Sequence, residues 1–190
     1  MHLFSKKQAA VALAILGILG IGVFAFVSWQ QTMREPAPLE SVGQEAGGLK
    51  YQVIGTSGEG RKIEAYTSGN GDTELLFVGG IHGGYEWNSV LLAYAFIDYL
   101  DTNPEAVPDN LLVTVIPSAN PDGVYKVVGK EGRFEAADVS PSASNGLGRF
   151  NARGVDLNRN FPCKWQPEST WRHNVVSAGS EPFSEPETQA

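Results

Sequence analysis

An imidazole and a carboxylate lie four positions apart at the end of an apolar stretch. The strand-like residues Leu75 to Ile81 lead into His82 and Glu86, which flank Gly83-Gly84-Tyr85. Both side chains are good zinc ligands, and a catalytic zinc usually takes three protein ligands while keeping one position open for water. The paired glycines indicate a turn. The pair predicts the start of a metal site, although a histidine satisfied by a neighbouring carboxylate would explain the same five residues.

A second segment concentrates hydrogen-bond donors. Residues Gly148 to Phe161 contain three arginines, three asparagines and one aspartate. A guanidinium group can hold a carboxylate through two parallel hydrogen bonds, and asparagine can add another donor. A solvated loop with incidental charge is the alternative. The density of donors favours an anionic partner.

Together these motifs resemble the zinc carboxypeptidase family typified by carboxypeptidase A, and more closely its bacterial and regulatory branches. Four segments carry the resemblance, in family order across roughly residues 50 to 190: Gly79 to Gly83, Asn120 to Gly123, Gly148 to Phe161, and Pro182 to Thr188. Jointly they are far more specific than any one of them.

The resemblance implies a site for one zinc ion, Zn²⁺. It assigns His82 and Glu86 as metal ligands and Asp156 as the carboxylate that orients the imidazole of His82. Zinc lowers the pKa of its bound water to about 7, which makes hydroxide available to attack a peptide carbonyl. The family usually places two residues between the first two ligands, whereas this chain has three.

The resemblance also implies a peptide substrate with a free carboxylate. Arg149 matches the residue that polarises the scissile carbonyl, and Asn158 with Arg159 matches the pair that binds the terminal carboxylate. Wall peptides are one substrate class open to an exported enzyme. The side-chain specificity and the oligomeric state are not readable from these motifs.

The end of the sequence departs from the family pattern. Ser184 and Glu187 have the spacing of a capping box, with Pro186 at the start of the predicted helix. In the family, the third ligand (a histidine), a substrate-binding tyrosine and the general-base glutamate all follow this helix. His173 is the remaining candidate ligand, and its polar surroundings favour simple solvation. We therefore expect weak zinc affinity and little activity from the printed sequence, as an amino-terminal portion of the enzyme.

The first thirty residues predict a membrane anchor. Ala9 to Val27 is a run of nineteen Ala, Val, Leu, Ile, Gly and Phe residues, or ~28 Å of helix against a hydrocarbon core of roughly 30 Å. Lys6 and Lys7 precede it and Trp29 follows, so the positive-inside rule places the remainder on the periplasmic or extracellular side. A cleaved signal peptide is the alternative, but its apolar region is normally shorter.

The charge composition limits which partners the chain can bind. The chain has 14 basic and 21 acidic side chains, and two of the basic ones precede the predicted span, so nucleic acid is a poor partner. The single cysteine, Cys163, excludes an internal disulfide.

Periodicity predicts an α/β fold. Tyr51 to Ile54 and Ile63 to Thr67 suggest an opening hairpin, and Leu75 to Val78 and Leu111 to Ile116 read as strands covered on both faces. A helix from Asn88 to Leu100 separates them, which implies a crossover unit with functional loops at the carboxyl ends of the strands. We expect a mixed, mostly parallel sheet with flanking helices, incomplete, preceded by one transmembrane helix. Residues 121–179 show little periodicity and suggest a long loop.

These patterns predict 1–8 as a cytoplasmic amino terminus, 9–29 as a transmembrane signal anchor and 30–50 as a linker. The resemblance implies that 51–190 is the amino-terminal portion of a zinc carboxypeptidase domain. Two other functions stay open. One is a non-catalytic module that binds peptide or cell-wall carboxylates, and the other is an amide hydrolase of related fold acting on an acylated amino acid.

Overall fold

The computed structural model describes residues 48–190. Its strands and helices, in chain order, are β1 (Lys50–Thr56), β2 (Lys62–Gly69), β3 (Thr73–Val78), α1 (Trp87–Thr102), β4 (Leu111–Ile116), α2 (Pro121–Val128), β5 (Glu168–Trp171), β6 (Asn174–Ser177) and α3 (Pro186–Gln189). The predicted anchor and most of the predicted linker lie outside these residues. Among the residues described, no helix is long and apolar enough to cross a membrane.

The central sheet has the strand order β1-β2-β4-β3. Strand β2 pairs antiparallel with both β1 and β4, and β3 pairs parallel with β4. The predicted hairpin, crossover unit and mixed sheet are therefore confirmed. The expectation of a mostly parallel sheet is wrong for this part of the chain. The opening hairpin contributes antiparallel pairings, and the single crossover through α1 yields one parallel pair.

Helix α1 packs the core against the sheet. Its buried residues Val90, Ala93, Tyr94 and Ile97 recur at helical spacing, and they meet Val113 and Val115 of β4 in one hydrophobic cluster. The β-branched residues of β4 favour an extended chain that fills such an interior. This packing fixes the sheet end from which the candidate site projects.

Strand β3 is less covered than its composition suggested. Leu75, Leu76 and Val78 are all exposed, and Leu76 reaches 57%. Within residues 48–190, β3 lies at an edge of the four-stranded sheet. The expectation that both of its faces are covered is therefore wrong for this part of the chain. In the described residues β3 has a strand partner on one side only, and Phe77 is its residue that packs against the hydrophobic core.

Residues 121–179 are more ordered than a long loop. Helix α2 begins at Pro121, and the side chain of Asn120 accepts a hydrogen bond of 2.9 Å from Gly123 N. The helix ends before Gly129, whose φ of 74° is left-handed. These are ordinary start and stop signals. The hairpin of β5 and β6 adds a two-stranded sheet.

The last helix does not form the predicted capping box. Its amino-terminal cap is Glu185, and Pro186 occupies the first turn as predicted. Glu187 instead accepts hydrogen bonds from Gly58 N and from the Asn151 side chain. The glutamate is therefore drawn into a buried network rather than back to its own helix terminus.

Candidate metal and substrate site

The site is at the carboxyl ends of the two parallel strands. His82 follows β3 and Asn120 follows β4. The Asn120 side chain donates to the carbonyl oxygen of Arg149 at 3.4 Å, which brings the arginine-rich segment to the same end of the sheet. The predicted position of His82 and Asn120, after the carboxyl ends of β3 and β4, is confirmed.

His82 lies between two carboxylates. Its Nδ1 is 2.7 Å from Oε1 of Glu86, and its Nε2 is 3.2 Å from Oδ1 of Asp156. The three residues between His82 and Glu86 are accommodated by a 3-10 turn over Gly83–Glu86, with φ of 47° at Gly83. The extra residue relative to the family spacing therefore does not separate the two side chains.

These contacts can be tested against the needs of a zinc ion. Asp156 holds Nε2, so Nδ1 is the ring atom directed at Glu86 and available as a ligand. Two ligands at tetrahedral positions on zinc are roughly 3.3 Å apart, so the pair has to separate by about half an ångström. The carboxylate behind the imidazole is the usual second partner of a metal-bound histidine. The described residues thus fit two ligands of such a site.

A third ligand is not found in residues 48–190, which contain no group of three or more His, Cys, Asp or Glu side chains able to hold a metal. His173 is exposed in the turn between β5 and β6. Cys163 is also exposed and forms no disulfide.

Burial and hydrogen bonding act oppositely on both members of the His82–Asp156 pair. Burial lowers the pKa of His82, but the hydrogen bonds to Asp156 and Glu86 outweigh it and raise the pKa above 6.5. Burial acts to raise the pKa of Asp156, but the His82 hydrogen bond and the charge of Arg149 bring it below 3.8. Asp156 is therefore an ionised acceptor that keeps the imidazole oriented.

Arg149 reaches the other oxygen of the same carboxylate. Its Nη2 donates to Oδ2 of Asp156 at 2.7 Å, and the side chain is buried. One carboxylate therefore joins the candidate ligand His82 to the arginine predicted to polarise the substrate carbonyl.

Glycines allow three segments to meet at this point. A Cβ at Gly84 would lie 2.6 Å from the carbonyl oxygen of Gly123, and one at Gly148 would lie 2.1 Å from the same atom. Gly84 N also donates to Gly148 O at 3.2 Å. Direct backbone contact thus brings the His82 turn, the first turn of α2 and the segment before Arg149 together.

The predicted carboxylate-binding pair is exposed to solvent. Asn158 and Arg159 lie on a 3-10 turn over Leu157–Arg159, directly after Asp156. Nε of Arg159 donates to Ser169 Oγ at 3.1 Å. Both residues line a cavity of about 330 Å³ together with Phe161, Cys163 and Trp165. The pair is therefore accessible to a ligand.

The two other asparagines of this segment have structural contacts that the sequence interpretation missed. Asn160 is fully buried, and its side chain contacts Ala178 O, Glu181 O, Ser184 Oγ, Glu185 N and Thr188 Oγ1. Asn151 donates to Glu185 and Glu187. Much of the donor density therefore has partners inside the protein. The glutamates of the Pro182 to Thr188 motif were the feature of the sequence that could have indicated these internal partners.

Comparison with known proteins identifies the family. Residues 39–190 match the zinc carboxypeptidase family. The chain is 34% identical over 142 residues to Bacteriocin BCN5 of Clostridium perfringens, covering 73% of this chain and 14% of that protein. It is 36% identical over 122 residues to human Carboxypeptidase Z, covering 57% and 18%. The chain belongs to the zinc carboxypeptidase family, which confirms the predicted metallocarboxypeptidase by family.

Solved structures agree on the fold. The carboxypeptidase A of Helicoverpa armigera superposes with a TM-score of 0.55 at 22% identity, covering 75% of this chain and 36% of that one. Bovine thrombin-activatable fibrinolysis inhibitor in complex with tick carboxypeptidase inhibitor gives 0.55 at 20% identity, covering 87% and 52%. The chain thus spans about a third to a half of these structures, and less than a fifth of the two relatives above.

The glycine contacts predict a large cost for one substitution. Gly148→Ala places a methyl group against the Gly123 carbonyl at a φ of 73°. We therefore expect the free energy of unfolding to fall by about 3 kcal/mol or more. Gly129→Ala is the matched control, because its φ is 74° and its Cβ meets nothing within 4 Å. That control is expected to lose about 1 kcal/mol. Equal losses in urea denaturation would contradict the role of close approach.

The two asparagines are expected to contribute very differently to the free energy of unfolding. Asn160→Ala removes partners from several buried polar groups and is expected to cost at least about 3 kcal/mol of unfolding free energy. Asn158→Ala, two residues earlier and exposed, is expected to stay within about 0.5 kcal/mol. Thermal and chemical unfolding of both variants measure this difference, and similar losses would refute it.

Proposed function

We propose that this chain provides the zinc-binding and substrate-carboxylate-binding part of a metallocarboxypeptidase that hydrolyses the carboxy-terminal bond of peptides. The observation that supports it most is the position of His82. The chain belongs to the zinc carboxypeptidase family, and Nδ1 of His82 faces Glu86. Asp156 accepts from Nε2 of the same ring and also binds Arg149.

Each residue of the site has a role that follows from its side-chain chemistry. His82 and Glu86 would hold the zinc ion, which would supply a Lewis acid and an acidified water. Asp156 keeps the proton on Nε2 of the imidazole and so fixes the ring orientation. Arg149 has further N–H donors beyond the one that binds Asp156, and these stabilise negative charge as it develops on the substrate carbonyl oxygen.

The terminal carboxylate binds at the exposed pair. Arg159 offers a planar set of donors on the rim of the 330 Å³ cavity, and Asn158 adds an amide. A carboxylate held there fixes the register of the peptide. Residues 48–190 contain no three-ligand group, and the resemblance to the family implies that the third ligand and the general base follow α3.

The test uses a longer protein, called the extended protein, in which the reading frame continues past Ala190. We expect one zinc per chain, hydrolysis of a blocked dipeptide, and loss of both on Glu86→Gln. Arg159→Met should raise KM roughly 10- to 100-fold, because a charge-assisted hydrogen bond is worth about 1.5–3 kcal/mol. Arg153→Met is the control, since Arg153 is exposed on the same segment and its nearest carboxylate, Glu185, is 3.7 Å away.

The outcomes separate the candidate functions. An extended protein that is free of zinc and indifferent to chelators contradicts the carboxypeptidase. If it still binds peptides through Arg159, the non-catalytic carboxylate-binding module is favoured, in accord with the two-ligand set in residues 48–190. Zinc-dependent cleavage of acylated amino acids that is insensitive to Arg159→Met favours the amide hydrolase.

We also propose that the domain faces the outside of the cell, on an anchor formed by residues 9–29. The support is the nineteen-residue apolar run with Lys6 and Lys7 before it. A reporter enzyme that is active only after export, fused after Lys50, should be active and remain in the membrane after an alkaline wash. Release of the reporter in shortened form would favour the cleaved signal peptide, and an inactive reporter would contradict export.

A further inference from the structure

The guanidinium group of Arg149 is surrounded by three aromatic side chains, here called the aromatic cage: Tyr85, Phe150 and Trp171. Its Cζ atom is 4.7 Å from the ring centroid of Trp171, 5.7 Å from Phe150 and 5.8 Å from Tyr85. Trp171 also packs edge-on against Tyr85 and Phe150, at centroid distances of 5.6 and 5.9 Å. Trp171 is therefore the centre of the cage.

Hydrogen bonds alone do not fix this arginine. The residue is 4% exposed, and its Nη2 donates to Asp156, yet its Nε is buried without a hydrogen-bond partner in residues 48–190. A planar group with one anchored corner can still pivot about that contact. Aromatic faces attract a guanidinium group within about 6 Å, and more strongly where water is excluded. The cage therefore restricts the motion that the single ion pair leaves.

The hairpin that carries Trp171 is attached to the site at both ends. At its base, Asp156 N donates to Ser177 O at 2.9 Å. Near its turn, Trp171 packs on Gly146, where a Cβ would lie 2.4 Å from the indole and φ is 95°. The β5–β6 hairpin therefore contacts the segments on both sides of Arg149.

We propose that Trp171 is a positioning residue, which holds the guanidinium group of Arg149 where it meets the negative charge on the substrate carbonyl oxygen. The proposal rests on the proposed carboxypeptidase function. It adds a requirement outside the four motifs, namely that the β5–β6 hairpin must be in place for Arg149 to act. Because the interaction matters most in the transition state, its loss lowers kcat rather than raising KM.

The first experiment uses the extended, zinc-loaded protein. Trp171→Leu fills much of the space but removes the aromatic face, and we expect kcat to fall about tenfold, with KM and zinc content unchanged. Trp171→Phe keeps an aromatic face and is expected to recover most of the rate. Val175→Ala, at a position of the same hairpin that is 69% exposed, is the control and is expected to match the wild type.

A double-mutant cycle separates positioning from general structure. Arg149→Met lowers kcat by itself, and Trp171→Leu is then expected to have no further effect, because the group it positions is gone. If Trp171→Leu lowers kcat by the same factor in both backgrounds, the positioning role is refuted. The near-UV circular dichroism of Trp171, obtained as the difference between wild type and Trp171→Phe, should change on Arg149→Met. An unchanged difference spectrum also overturns the proposal, because it shows that the environment of the indole does not depend on the guanidinium group.

The kinetic outcomes also distinguish this proposal from the one on which it rests. Absence of turnover in the extended wild type removes the carboxypeptidase function and, with it, the catalytic purpose of the cage. Turnover that Trp171→Leu leaves unchanged keeps the function and removes only the positioning role.

Discussion

A carboxylate without solvent exposure has to be neutralised by its protein surroundings, and Asp156 is in that position. One of its oxygens binds the imidazole of His82 and the other binds the guanidinium of Arg149. Because Nε2 is engaged there, Nδ1 is the imidazole nitrogen directed at Glu86. A single buried charge therefore decides which ring atom faces Glu86 and joins the imidazole to the guanidinium group.

The segment that contains Asp156 has little regular secondary structure, so its buried backbone groups need other partners. Asparagine side chains supply several of them. Asn151 Oδ1 accepts from Arg153 N and Val155 N, and the Asn160 amide donates to Ala178 O and Glu181 O. Each amide combines donor and acceptor functions that a helix or sheet would otherwise provide. The irregular path needed to present Arg149, Asn158 and Arg159 is stabilised in this way.

This arrangement explains which features were predictable from the sequence. Runs of apolar and β-branched residues predict β1 to β4, and apolar residues at helical spacing predict α1, all with nearly correct bounds. The same runs do not report burial reliably, because most of the apolar residues of β3 are exposed. Helix α2 was missed because its apolar face is short, although Asn120, Pro121 and Gly129 mark its ends. A buried asparagine that satisfies backbone groups and an exposed asparagine are the same letter in the sequence. Asn160 and Asn158 could therefore not be distinguished before the fold was known.

The residues of the candidate metal site are held in place by contacts with the rest of the protein. In small zinc-folded domains the metal supplies much of the folding free energy, because the ligands have little else to hold them. Here the hydrophobic core lies between α1 and the sheet, and His82 forms hydrogen bonds with both Glu86 and Asp156. Close backbone contacts among Gly84, Gly123 and Gly148 hold together the segments that carry these side chains. The candidate site is thus positioned by core packing, by backbone contacts and by one buried carboxylate, whereas the ligands of a zinc-folded domain have little such support.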